Sequence, residues 1–233
     1  MTQTALVSLP RLYAILDADF FPETHALLRA ARELAEAGVL LIQYRNKSGN
    51  ARVMLEQARE LRGLFQAGED SHVSQLQRDV GHPQSRSGWQ RSIRLIMNDR
   101  ADLCIAAEFD GVHVGQEDLS PEAVRRIIGP DRWLGVSTHS PEQLREADLT
   151  SADYVAIGPV FATLSKERPD PVVGLEGVRR ARELTRKPLV AIGGITRTNA
   201  TSVIEAGADS VAVISDLIRE PGKSAEEFLR ILG

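Results

Sequence analysis

Short β-branched and aliphatic runs return along the chain at a steady interval: LYAIL (12–16), VLLIQYR (39–45), IRLIMN (93–98), GVHVG (111–115), WLGVS (133–137), YVAIGPV (154–160), PLVAIGG (188–194) and SVAVIS (210–215). Between them lie stretches such as ETHALLRAARELAEAG, ARVMLEQARELRGLF, PEAVRRII, PEQLREA and LEGVRRARELT, whose apolar positions recur at the spacing of one helix face. Ser120-Pro121-Glu122 and Ser140-Pro141-Glu142 each offer an N-cap serine followed by a first-turn proline, so each predicts a helix start. Continuous rather than alternating apolar runs imply strands buried on both faces, the property of a parallel sheet. Eight such βα units predict a single α/β domain closed as a (β/α)8 TIM barrel, although an open doubly wound sheet shares the pattern.

One segment breaks the interval. Residues 68–92, GEDSHVSQLQRDVGHPQSRSGWQRS, are polar and longer than an ordinary helix-to-strand connection. Joining a helix to the next strand, they are expected as a flexible insertion on the N-terminal face of the barrel, away from catalysis. With 28 basic and 32 acidic residues the net charge is −4, so no general field favours nucleic acid or an anionic membrane, and an anionic ligand needs a local basic cluster. The single cysteine, Cys104, excludes an internal disulfide and a Cys-based zinc site. No apolar run reaches the roughly 18 residues of a membrane span, and the first residues lack the pattern of a signal peptide, so a cytoplasmic protein is expected. A homo-oligomer is left open.

In a barrel, chemistry gathers just beyond the carboxyl ends of the strands. Asn98-Asp99 follows the third strand and Asp118 the fourth. Helix capping is the plain alternative for an aspartate there, but one helix has one cap, and Ser120 is the better cap for the helix after Asp118. Two carboxylates without nearby histidine or cysteine ligands suit a hard cation such as Mg2+. After the second strand, Gln43, Arg45 and Lys47 fall on one side of the chain by two-residue periodicity. Ser137 closes the fifth strand and, with Ser140 available for capping, is expected to face a ligand. Thr163, Ser165 and Lys166 occupy the long loop after the sixth strand, and Gly193-Gly194 and Ile214-Ser215 end the last two, where barrels commonly bind phosphate through backbone N–H groups. His113 is expected to be packed or hydrogen-bonded inside the barrel, His139 to lie near the rim, and Cys104 to be buried packing. Cations for phosphate and acids for a metal, without an evident nucleophile, suit chemistry on a diphosphate.

These residues also carry a resemblance. Through QYRNK, IMNDRADL, DGVHVGQEDL, LGVSTHS, ADYVAIGPVFATLSK, VAIGGI and AGADSVAVIS, from residue 12 to about 217, the chain resembles the thiamine phosphate synthase family. The resemblance implies condensation of 4-amino-2-methyl-5-pyrimidinylmethyl diphosphate with 4-methyl-5-(2-phosphoethyl)thiazole, giving thiamine phosphate and pyrophosphate by a dissociative route. It implies that Gln43, Arg45, Lys47, Asn98, Ser137 and Lys166 bind the pyrimidine diphosphate, with Arg45, Lys47, Lys166 and Ser137 at the reacting centre. It further implies that Asp99 and Asp118 hold Mg2+, and that Thr163, Ser165, Gly193, Gly194, Ile214 and Ser215 bind the thiazole phosphate. The partners implied are small-molecule substrates, with no nucleic acid and no membrane. Three positions depart from the family pattern: Asn46 replaces an acid that could orient Arg45 or Lys47, Ser165 replaces threonine, and 68–92 is longer. A thiazole tautomerase-like relative of the same fold and a non-catalytic phosphate-binding regulatory barrel are the competing readings.

Overall fold

In a computed structural model of the protein, residues 7–21, 23–66, 93–163 and 170–233 are described. Eight parallel strands close into a barrel in chain order: β1 (Leu12–Asp17), β2 (Leu41–Arg45), β3 (Arg94–Asn98), β4 (Gly111–Val114), β5 (Trp133–Thr138), β6 (Tyr154–Ile157), β7 (Leu189–Ile192) and β8 (Ser210–Val213), with β8 returning to β1. Helices α1 (Thr24–Glu36), α2 (Ala51–Gln66), α3 (Ala101–Ala106), α4 (Pro121–Ile128), α5 (Pro141–Asp148), α6 (Gly174–Leu184), α7 (Ala200–Glu205) and α8 (Pro221–Leu232) alternate with them. The closed barrel is therefore the architecture, and the open sheet is excluded. The segment 68–92 lies outside the described residues.

The helices bury one stripe each. In α1, Leu27, Ala30, Ala31, Leu34 and Ala35 follow the three-and-four spacing and pack against the outside of the sheet. Ser120 and Ser140 cap α4 and α5 as expected, their hydroxyls accepting from the Ala123 and Gln143 amides at 3.3 Å. Several strands are shorter than their apolar runs. β6 stops before Gly158-Pro159 because proline has no N–H to extend a ladder. β7 stops at Gly193, whose φ of 100° turns the chain. β8 stops at Ile214, whose ψ of −77° leaves the extended region. Apolarity persists past these points because the loops themselves pack inward.

The interior is small: Tyr13, Ile15, Leu41, Ile96, Tyr154, Ala156, Val190 and Ala212 fill it. Register sets Asn98, His113, Gly135 and Tyr154 side by side on β3 to β6. Gly135 makes room, since a Cβ there would lie 2.2 Å from Tyr154 Cζ and 2.4 Å from His113 Nδ1.

At the opposite end, one arrangement occurs three times. Asp110, Asp153 and Asp209 each precede an even-numbered strand and accept an amide at the start of the strand before it, from Leu95, Leu134 and Leu189 at 2.7, 2.7 and 2.8 Å. The same oxygen takes an arginine from an even-numbered helix, Arg62, Arg125 or Arg182, at 2.9, 2.6 and 2.8 Å. The sequence trace is Asp-x-Val at 110–112, 153–155 and 209–211. These charge-assisted bonds fix where strands start, far from the loops that carry chemistry.

Candidate active site at the carboxyl ends of the strands

The chain turns abruptly after β3. Asp99 has φ 60°, in the left-handed region that aspartate tolerates better than most residues, and its amide donates to the His113 carbonyl at 2.8 Å. The N-cap position of α3 is Arg100 and receives no side-chain cap, so neither Asn98 nor Asp99 serves that purpose. Asp118 accepts the Gly115 amide at 2.7 Å and closes the turn after β4, while Ser120 caps α4. The Asp99 and Asp118 carboxyls interact directly. Asp118 is raised above the ordinary carboxylate range, first by burial, then by the charge and hydrogen bond of Asp99, against the lowering effects of the Gly115 amide and Lys47. Such a pair is better satisfied by a cation than by itself. Among the described residues no cluster of three or more His, Cys, Asp or Glu could hold a metal. A cation on these two carboxylates would draw its remaining ligands from water or substrate oxygens, the habit of Mg2+.

Lys47 forms an ion pair with Asp99, and Arg45 with Asp17 at the end of β1. Asp17 is buried, and sequence reading missed it by ending the first strand at Leu16; an aspartate directly after an apolar run, as at the third strand, was the available signal. Asn46 faces the other way, into the layer between sheet and helices. Its Nδ2 donates to Tyr44 Oη and Gln57 Oε1, both at 3.0 Å, and its Oδ1 accepts the Ser48 amide at 2.9 Å. The missing acid at position 46 thus leaves Arg45 and Lys47 with carboxylates of their own.

Gln43 points into the barrel and meets the Tyr13 hydroxyl at 3.1 Å. Ser137, expected to face a ligand, also has partners in the barrel: its Oγ lies 2.8 Å from His113 Nε2, and its carbonyl accepts Gln116 Nε2 at 2.6 Å. The cause is register, which stands His113 opposite Gly135, two residues before Ser137. His139 is held with Nδ1 at 2.6 Å from the Gly158 carbonyl and Nε2 at 3.5 Å from Asp170. Cys104 is buried packing, its Sγ 3.2 Å from the Gly111 carbonyl and its thiol pushed up to about 12, chiefly by burial.

Burial pushes His113 down to about 4, only partly offset by Asp118, so the ring is neutral at pH 7. Below the ordinary histidine value near 6.5 the unfolded chain binds a proton that the native chain refuses. Folding should therefore weaken as pH falls from about 6.5 to about 4, by roughly 3 kcal/mol for this group, and be insensitive to it above that window. Urea unfolding at pH 7.5 and 4.5 checks this, because His113→Gln should flatten that part of the acid slope.

At β7 and β8 the fit is tight. Gly193 and Gly194 have φ 100° and 62°, and a Cβ on either would come 2.5 Å from Pro159 Cβ or the Ala162 carbonyl. Arg197, unnoticed in the sequence, ties the two loops together by pairing with Asp216 at 3.0 Å, while Asn199 Nδ2 donates to the Gly194 carbonyl at 3.1 Å. Gly194 and Ser215, on neighbouring strand ends, are held at one place on the rim. Thr163 is described; Ser165 and Lys166 lie outside the described residues.

The chain is similar to known proteins along nearly its whole length. The family model described as thiamine monophosphate synthase matches residues 85–217. A thiamine-phosphate synthase of Koribacter versatilis is 53% identical over 229 residues, covering 97% of each chain. One of Shouchella clausii is 38% identical over 208 residues, covering 89% of this chain and 88% of that one. Among solved structures, a thiamine phosphate pyrophosphorylase from Pyrococcus furiosus superposes with a TM-score of 0.76 at 32% identity, covering 95% of both chains. With fold and sequence in agreement, the chain belongs to the thiamine monophosphate synthase family.

Proposed function

We propose that this barrel joins 4-amino-2-methyl-5-pyrimidinylmethyl diphosphate to 4-methyl-5-(2-phosphoethyl)thiazole, releasing pyrophosphate and thiamine phosphate. One observation carries the reading beyond family membership: Asp99 and Asp118 meet at the rim beside Lys47, with Arg45 anchored on the neighbouring strand end. The bond between the pyrimidine methylene and the diphosphate breaks with its electron pair leaving on pyrophosphate, and the thiazole nitrogen lone pair then forms the new C–N bond. No protein nucleophile or base is consumed, in keeping with a buried, neutral His113 and a buried Cys104.

Arg45 and Lys47 meet the diphosphate, and Asp17 and Asp99 pre-orient them so that little is reorganised as charge builds on the leaving group. Gln43, Asn98 and Ser137 hold the pyrimidine. Thr163, Ser165, Gly193, Gly194, Ile214 and Ser215 hold the thiazole phosphate on the side that Arg197 braces. Mg2+, held through Asp99 and Asp118, would supply Lewis-acid stabilisation to the departing pyrophosphate. No helix among the described residues is long and apolar enough to cross a membrane; that both proposed substrates are phosphorylated and membrane-impermeant supports a cytoplasmic reaction. The tautomerase and regulatory readings are not favoured, since the similar proteins named above are synthases and both would leave the carboxylate pair without use.

Incubating purified protein with both precursors and Mg2+ tests the proposal: thiamine phosphate and pyrophosphate should appear in equal amounts, and folded protein that yields neither overturns it. Lys166, proposed to neutralise the leaving pyrophosphate, gives a second test. If its ammonium acts in the transition state, Lys166→Ala should lower kcat by roughly 10²-fold, the scale of one lost electrostatic partner, and change KM less. A single-turnover rate unchanged from wild type would take Lys166 out of the reacting centre.

A further inference from the structure

Inside the barrel, hydrogen bonds run without a break across five strands: Gln43 Nε2 to Tyr13 Oη at 3.1 Å, Tyr13 Oη to Tyr154 Oη at 3.1 Å, Tyr154 Oη to His113 Nδ1 at 3.2 Å, and His113 Nε2 to Ser137 Oγ at 2.8 Å. Each hydroxyl has one proton to give, and an amide nitrogen can only donate. Tyr13 accepts from Gln43, and because a hydroxyl oxygen can accept twice, what sets the direction is that each buried phenol proton needs an acceptor: Tyr13 gives its proton to Tyr154, and Tyr154 its own to His113 Nδ1. The neutral ring then carries its proton on Nε2 and donates to Ser137. The Ser137 proton is left pointing away from the run, and at the other end the Gln43 carbonyl oxygen takes no partner among the described residues. The direction of the whole row is set at one end and read at the other. Gly135 permits it, because a side chain there would collide with both Tyr154 and His113.

We propose that this row is a one-way relay through which Tyr13, Tyr154 and His113, acting as positioning residues, fix the pyrimidine pocket to offer an acceptor at Gln43 Oε1 and a donor at Ser137 Oγ. The inference rests on the reading of Gln43 and Ser137 as pyrimidine contacts. The exocyclic amine is the sole N–H donor of the ionised pyrimidine diphosphate, whereas its ring nitrogens and phosphate oxygens are acceptors. The fixed polarity therefore selects an amine at that position and rejects a 4-oxo analogue, which presents a carbonyl to the Gln43 oxygen. Reversing the row would need the Gln43 amide to turn over together with three protons inside a packed barrel. The relay makes specificity a property of residues that never touch the ligand.

Two measurements test this. In substrate-free protein, 15N imidazole spectra, with His113 assigned by its loss in His113→Gln, should show Nε2 protonated and Nδ1 bare; an Nδ1-protonated ring in wild type overturns the proposal. Tyr154→Phe removes the donor to Nδ1 and should mix the two tautomers. Calorimetric binding of the amino and 4-oxo pyrimidine diphosphates, with Mg2+ present, then reads specificity. Wild type should favour the amine by roughly a hundredfold or more, as sites built around a substrate hydrogen bond do. Tyr13→Phe, which frees the Gln43 amide to rotate, should cut that preference at least tenfold. An unchanged preference in both Tyr13→Phe and Tyr154→Phe overturns the proposal, as does failure of wild type to distinguish the two ligands. Binding that discriminates without thiamine phosphate being formed would instead overturn the catalytic reading and leave the relay standing.

Discussion

Asp118→Asn is expected to lose roughly 99% of turnover, about the 10²-fold effect of deleting one electrostatic contact to a transition state, while remaining folded. The fold survives because the asparagine oxygen can still accept the Gly115 amide that Asp118 accepts now, and Ser120 caps α4 independently. What disappears is one of two negative charges facing each other at the rim. That charge is disfavoured in the native state, as the raised position of the Asp118 carboxyl shows, so the variant should unfold at the same temperature as wild type or slightly higher. Falling activity with rising stability marks a residue kept for chemistry. Steady-state rates across a Mg2+ titration, paired with thermal unfolding, provide the check; wild-type turnover by the variant in the presence of a chelator would rule out a metal role for the pair.

Gly135→Ala should have the largest effect on folding. The glycine has an ordinary φ, so the obstacle is space: the added methyl would stand 2.2 Å from Tyr154 Cζ and 2.4 Å from His113 Nδ1, and both neighbours are buried rings held on two sides by hydrogen bonds. Relief requires moving a strand or breaking the row, and we expect a loss of about 3 kcal/mol or more, the upper end for overpacking. In a protein of this size that is a fall in Tm of roughly 6–12 °C. Gly63→Ala is the matched control, since it lies within α2, has nothing within 4 Å of an added Cβ, and should gain about 0.5–1 kcal/mol from helix propensity. Equal stability of the two variants would show that the interior yields more than its packing suggests.

The barrel was legible because it is written in local signals. Apolar runs bounded by glycine, proline and N-cap serines name each βα unit, and eight units close. Asp99, Asp118, Arg45 and Lys47 were legible because a strand end is a known place on a barrel. Less could be read where a side chain's partner is distant in sequence. Arg45 finds Asp17 28 residues away, Tyr13 finds Tyr154 across 141, and Arg197 finds Asp216 across 19. Nothing in LYAIL or YVAIGPV distinguishes a tyrosine that joins a polar row from one that merely fills a core. The bond between Ser137 and His113 was hidden for the same reason, since the two belong to different strands. Asn46 misled differently, through an expected acid that the neighbours of Arg45 and Lys47 supply from β1 and β3.

The aspartate clamps at the foot of the barrel divide it where the sheet does not. Ladder bonding is continuous around the ring, yet the clamps join β3 to β4, β5 to β6 and β7 to β8, each through an arginine 48, 28 or 27 residues from its aspartate. The junctions β8–β1, β1–β2, β2–β3, β4–β5 and β6–β7 carry no such clamp, so the ring holds three clamped modules of two strands, each closing over a short length of chain. Partial opening in a native protein follows its weakest cooperative boundaries. Such a barrel should breathe in steps of two strands, and each module should come away with its own helix and its own stretch of rim.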